Sequence, residues 1–279
     1  MRAVKCLRRM RPDQDVNCII MIIVTGTRRS GTSAWMQILE KGGFQVLGDA
    51  FPATWRDRLE AANPRGFYES TLVQGINYKT NPDPKSGMWL PPDKVTQVAV
   101  KIFADGLVKT DFAYIDRVIF TVRRWQDCEA SQIRMEEIKS KPPEIDFSDI
   151  NTRRAARLPK GYLWWKANFS LVKDMRTRGY PVAAVSYEAL LADPEKIVDS
   201  VFKWIGAGNA VAATTAIEKS LQTQSNVKFP EIEHGFGDIF DELYDILDRN
   251  QKITATLYQR WFEVDRAIDT YIDELLSSS

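Results

Sequence analysis

The stretch of this chain best equipped for chemistry is short. Residues 25–33 read TGTRRSGTS. Gly26 and Gly31 stand at the glycine spacing of the Walker A loop, GxxxxGK[ST], whose backbone cradles nucleotide phosphates. The lysine of that loop is missing, because Thr32 and Ser33 follow Gly31 directly. Two arginines, Arg28 and Arg29, stand inside the loop instead. Arginine offers a planar fork of N–H donors that does not lose its charge. A nucleoside triphosphatase needs lysine on the β- and γ-phosphates and a hydroxyl on Mg²⁺. This loop is suited to holding an anionic group without that apparatus.

The flanking residues must position it. Ile19 to Val24 is a short run of mostly β-branched residues, which predicts a buried strand. After the loop, Trp35, Met36, Ile38 and Leu39 fall at helical spacing, and Gly42-Gly43 ends the helix. Strand, glycine loop and helix together form an anion site. Loop N–H groups point inward and the helix N-terminus adds partial positive charge.

TGTRRSGTS resembles the 5′-phosphosulfate loop of the sulfotransferases that use PAPS (3′-phosphoadenosine 5′-phosphosulfate). That loop reads roughly [PR]-[KR]-S-G-[TS]-[TS] after a buried strand, and Arg29, Ser30, Gly31, Thr32 and Ser33 match it in turn. In that family a later strand ends in Arg, with Ser eight residues on, and the two hold the cofactor's 3′-phosphate. VRRWQDCEAS supplies Arg123 and Ser131 at that spacing. The stretch VSYEALLADPEKIVDSVFKWIG is similar to a strand–helix segment of the family, and NPRGFYE resembles a segment of several prokaryotic members. The four matches run in the family's order over residues 20–206.

The resemblance implies a P-loop-like α/β fold, with a central parallel sheet flanked by helices. It also implies metal-independent transfer of a sulfuryl group to a hydroxyl or amine, with release of adenosine 3′,5′-bisphosphate (PAP). Arg28, Arg29, Ser30, Gly31, Thr32, Ser33, Arg123 and Ser131 are the expected cofactor contacts. For Arg28 a solvated or structural role stands equally open. Lys228 is a further candidate, on a late loop over residues 222–237. Trp35 lies one residue later than the family's stacking tryptophan, a helical rotation of about 100°, so a core position is expected for it.

The acceptor base is the point of departure. The soluble animal members place Lys and His two residues apart after the third strand. Here Lys101 fits the lysine, but Phe103 occupies the histidine position. Other branches use a glutamate. Glu69 and Asp49 both follow elements expected to end at the sheet's C-terminal edge, where sites of open α/β sheets form, and Asp105 is a third candidate. Glu69 ranks first and Asp49 second. Trp89, Trp125, Trp164 and Trp165 are candidates to line an acceptor pocket, although Trp164 and Trp165 cannot share one helix face, so at least one of them is expected in the core.

The remaining chain alternates strand-like and helix-like runs: strands at 44–49, 95–103, 117–122 and 181–187, helices at 54–62, 126–138, 161–179, 187–206 and across 238–275. Such alternation predicts a parallel sheet covered on both faces. Residues 80–94 and 139–147, rich in proline, read as loops. One domain over 19–279 is expected, preceded by a basic extension at 1–18 that is disordered or loosely packed.

Composition narrows the function classes. Lys+Arg 38 nearly balances Asp+Glu 37, so no global basic field invites nucleic acid. Three cysteines, Cys6, Cys18 and Cys128, form no CxxC, and His234 is the single histidine. That argues against a disulfide framework, a zinc site or a multi-histidine metal centre. The apolar run at 19–24 is too short for a membrane span, so a soluble cytoplasmic protein acting on a small-molecule or carbohydrate acceptor is expected. Oligomeric state stays open. Two alternatives also stand: a P-loop kinase of small molecules, and a non-catalytic nucleotide-binding or scaffold protein that lost the base.

Overall fold

The computed structural model describes residues 21–51, 63–95, 97–138, 161–218 and 235–277. Five strands carry the architecture. They are β1 (Met21–Gly26), β2 (Gln45–Leu47), β3 (Val98–Lys101), β4 (Arg117–Val122) and β5 (Val182–Ser186). All pair in parallel, in the spatial order β2-β3-β1-β4-β5. The strand sequences explain this. MIIVTG, VAVK and RVIFTV are near-continuous apolar runs, as strands buried on both faces require.

Successive residues of each strand point to opposite faces, and so feed two separate cores. Ile23, Val100, Val118 and Phe120 join one core. Ile22, Val24, Ala99 and Ile119 join the other. The second is covered by α1 (Thr32–Lys41), α6 (Pro194–Ile205) and α7 (Ala210–Thr214), through Trp35, Met36, Leu39, Val201, Phe202 and Ala213. Trp35 is thus a core residue, 1% exposed, as its spacing predicts.

The first core is aromatic. It is closed by α4 (Tyr162–Arg178), α8 (Phe236–Asp248) and α9 (Ala255–Ser277). Trp165 stacks on Phe169 and Phe240 and meets Trp261 edge-on. Burying side chains of this size contributes about 1.5–3 kcal/mol each. Asp265 fastens α9 to α4, accepting hydrogen bonds from Trp165 Nε1 at 3.1 Å, Lys166 Nζ at 2.7 Å and Lys173 Nζ at 2.8 Å.

The remaining described helices are α2 (Ala104–Leu107), α3 (Trp125–Ile138) and α5 (Tyr187–Ala192). The 187–206 region forms two helices because Asp193 caps a new one and Pro194 begins it. Just after Glu69, Ser70 caps a short 3-10 turn at Thr71–Gln74. The N-terminal extension, the 54–62 helix, the 139–147 loop, Lys228 and His234 lie outside the described residues. Among the described residues no helix is long and apolar enough to cross a membrane.

Candidate functional site

Four chain segments leave the C-terminal edge of the sheet side by side, and each delivers side chains to one cavity. The loop after β1 brings Arg28, Arg29, Gly31, Thr32 and Ser33; β3 ends in Lys101; Arg123 follows β4; Tyr187 follows β5. A fifth segment, 63–69, folds over the edge and adds Asn63, Phe67 and Glu69. It is tied down by backbone hydrogen bonds between Asp49 and Glu69 and by Ser33 Oγ, which donates to the Phe67 carbonyl at 3.2 Å.

The loop is set by its glycines. Gly26 has φ 151°, and a Cβ there would fall 2.4 Å from the Thr121 carbonyl oxygen, so no larger residue fits. Gly31 has φ 101° and precedes helix α1, with the Tyr187 ring packed against it. No side chain caps that helix, and its first turn carries no acid. Its opening residues line the cavity, so the unshared N–H groups of a helix start lie there, a ready place for an anion. Ser30 does not face the cavity. It is fully buried, and its hydroxyl bonds the Thr27 carbonyl and Thr121 Oγ1, both at 2.8 Å. Ser30 therefore shapes the loop through its side chain.

One end of the cavity gathers arginines. Arg29 lies in the left-handed region, φ 68°, a conformation that costs a non-glycine residue about 1–3 kcal/mol and must be held by its surroundings. Its Nε donates to Ser131 Oγ at 2.9 Å and its Nη1 lies 3.8 Å from Met135 Sδ. Arg123 donates to the Arg29 carbonyl at 3.4 Å, stacks over Tyr187 at 4.7 Å and lies 3.9 Å from Glu188. Burial, then the neighbouring Arg123, lowers the Arg29 pKa below its ordinary value. Two cations held this close favour an anion between them. Burial raises the pKa values of Tyr187 and Glu188.

The other end is built on Lys101, 1% exposed. Its ammonium donates to the Phe67 carbonyl and to Glu69 Oε1, the latter at 3.2 Å, and lies 5.3 Å from the Phe103 ring centroid. Burial holds the ammonium at about 8, below its ordinary value, with Glu69 pulling the other way. Tyr68 sits between Phe67 and Glu69 with φ 55°, and both neighbours reach the same ammonium. Arg28 reaches this end too, its guanidinium 5.0 Å from the Phe103 centroid.

The rival carboxylates are elsewhere. Asp49 contributes backbone to the bridge with Glu69, but its side chain is exposed and does not line the cavity. Asp105 is exposed in the first turn of α2 and does not line it either. The tryptophan expectation is corrected. Trp125, Trp164 and Trp165 are buried in the aromatic core, Trp89 is 60% exposed, and none of the four lines the cavity. The aromatic and soft lining comes instead from Phe67, Phe103, Tyr187 and Met135. Of these, Tyr187 had a signal in the sequence, because it follows the apolar run of β5 just as Arg123 follows β4. Cys128 is buried and its thiol pushed up to about 12, so it is no nucleophile. Among the described residues no three His, Cys, Asp or Glu side chains gather as a cation site.

No family model matches this chain, and no curated protein matches it. Among solved structures it is similar to the sulfotransferase domain from the Synechococcus PCC 7002 olefin synthase. The likeness has 16% identity and a TM-score of 0.40, and covers 94% of this chain and 98% of that one. A likeness this loose says nothing of acceptor or chemistry.

Proposed function

We propose that this chain is a PAPS-dependent sulfotransferase, moving a sulfuryl group to an acceptor hydroxyl or amine and releasing PAP. The observation that carries the reading is the division of one cavity. At one end Arg29 and Arg123 line the cavity beside the uncapped start of α1, with Ser131, which does not itself line it, hydrogen-bonded to Arg29, and at the other Lys101 holds Glu69. The donor set suits a phosphosulfate: arginine forks, hydroxyls and helix N–H groups, with Thr32 where a triphosphatase has lysine.

PAPS would supply the activated sulfuryl group; this chain's residues would position it and move the proton. Thr32 and the first N–H groups of α1 would take the 5′-phosphate. Arg29 would stabilise negative charge on the bridging oxygen as the bond to it breaks. Arg123 and Ser131 would hold the 3′-phosphate, with the Tyr187 ring keeping the Arg123 guanidinium in plane. Lys228 is retained as a proposed additional contact to that phosphate. Glu69 would accept the acceptor's proton as its oxygen or nitrogen bonds to sulfur, and Lys101 would orient that carboxylate.

A loop that lacks the Walker lysine and carries two arginines instead implies binding without Mg²⁺. Calorimetry should show PAP binding undiminished by EDTA and stronger than binding of ATP. Strict Mg²⁺ dependence, or a preference for ATP, would move the reading to a kinase. PAP binding without turnover on any acceptor would favour a nucleotide-binding scaffold.

A further inference from the structure

The two adjacent arginines of the loop diverge. Arg29 runs toward α3, where it meets Ser131 and Met135. Arg28 runs toward the end of β3, where its guanidinium stacks on Phe103. Lys101 contacts the same ring, and Lys101 holds Glu69. Arg28 therefore stands at the end of the cavity where an acceptor must lie if Glu69 is to take its proton.

The charges at that end do not cancel. Lys101 is paired with Glu69, and Glu218 on the rim is paired with Arg65. Arg28 is exposed and lines the cavity, yet among the described residues its guanidinium makes no ion pair and no hydrogen bond beyond its contact with the ring. A surface arginine with such freedom is ordinary. An arginine held 5.0 Å from a ring centroid at the site, beside the base, is differently placed. A ring contact uses none of the guanidinium's N–H donors, so its fork is available to a planar or tetrahedral oxyanion.

We infer that Arg28 is the acceptor-reading residue and that the acceptor is acidic, bearing a carboxylate, sulfate or phosphate group near its nucleophilic hydroxyl. The inference rests on the sulfotransferase reading and adds the substrate class. A neutral acceptor would strand an unpaired guanidinium as the site fills and water leaves, a costly arrangement. An acidic one would receive a charge-assisted fork that also sets its hydroxyl toward Glu69.

The test uses matched acceptors with PAPS: para-hydroxyphenylacetate against its amide, galacturonate against galactose, and a sugar phosphate against its parent sugar. Turnover should favour the acidic member of each active pair, and the active pairs tell carboxylate from phosphate. Arg28→Gln should erase the preference and lower kcat/KM on the acid by roughly tenfold to a hundredfold, the loss of one charge-assisted fork. Its loss of PAP affinity should be much smaller than that of Arg29→Gln, which should lose PAP binding. A second readout needs no turnover. In PAP-saturated protein, phenylglyoxal labelling of Arg28, read by mass spectrometry, should be slowed by a hydroxy acid and not by its amide.

Equal turnover of acid and neutral partners overturns the inference. So does Arg28 labelling indifferent to every acid, or loss of PAP affinity in Arg28→Gln equal to that in Arg29→Gln. Failure of the wild type to bind PAP overturns the underlying reading as well, and is recognised at the first calorimetric titration.

Discussion

The two ends of the cavity are made differently. The end around Arg29, Arg123 and Ser131 is assembled from a contiguous loop and from one strand-to-helix junction, with Arg123 and Ser131 eight residues apart. The end around Glu69, Lys101, Phe103 and Arg28 comes from three separate segments, joined by the parallel register that sets Lys101 beside Val24. The first gathers cations with shared hydroxyls; the second buries one lysine against one carboxylate. An end built from local spacing can be read from a motif. An end built from packing can take a different base, or a different acceptor, while the motif stays the same.

The largest expected effect tests whether chemistry is confined to the second end. Glu69→Gln should lower sulfuryl transfer by roughly 10²–10⁴, the range for a positioned general base, with PAP affinity nearly unchanged. Asp49→Asn is the matched control and should keep turnover, since its carboxylate is exposed outside the cavity. Steady-state kinetics with an acceptor found as above decides it. The reverse result would move the base to Asp49 and dissolve the contrast between the ends.

Next comes the first end. Arg123→Ala and Ser131→Ala should each weaken PAP binding by about 1.5–3 kcal/mol, the worth of a charge-assisted contact. Binding of adenosine 5′-phosphosulfate, which lacks the 3′-phosphate, should change much less. Equal losses for both nucleotides, measured by calorimetry, would remove the 3′-phosphate from this end.

Lys101 sharpens the comparison through pH. Burial lowers its folded-state value to about 8 from an ordinary 10.5. Between these values the unfolded chain binds more protons than the folded one, so stability rises with pH across that window. Urea unfolding at about pH 8 and about pH 10 should show wild type gaining about 2 kcal/mol relative to Lys101→Met. A parallel response in the two proteins would mean that the ammonium is not buried as described. The smallest effect is expected at Tyr187. Its replacement by Leu removes the ring under Arg123, and PAP affinity should fall by about 0.5–2 kcal/mol.

How much of this was legible depends on what each residue's position rests on. Strand β1, its loop and helix α1 were readable because apolar period and glycine spacing act within a few residues. The core position of Trp35 followed from helical rotation, set against the tryptophan position of the family that the loop resembles. Of the tryptophans of α4, the one-face argument put at least one in the core. Trp164 and Trp165 are both buried because three helices and the sheet enclose them, which a one-face argument misses. The short strand β2 and the bridge from Asp49 to Glu69 put one carboxylate inward and its rival outward, a choice set by backbone pairing between distant segments.

By itself, the sequence determined that an arginine-bearing, glycine-spaced loop follows a buried strand, and that the chain alternates strands with helices. Those properties follow from residue type and local period, which any compact state of the chain would keep. Only the tertiary structure decided that Glu69 reaches Lys101, that Ser30 turns inward, and that Arg28 and Arg29 point to opposite ends of one cavity. The reason is physical: a side chain's partner is chosen by sheet register and by what packs across the sheet edge. Those contacts join residues dozens of positions apart, where no local pattern constrains them.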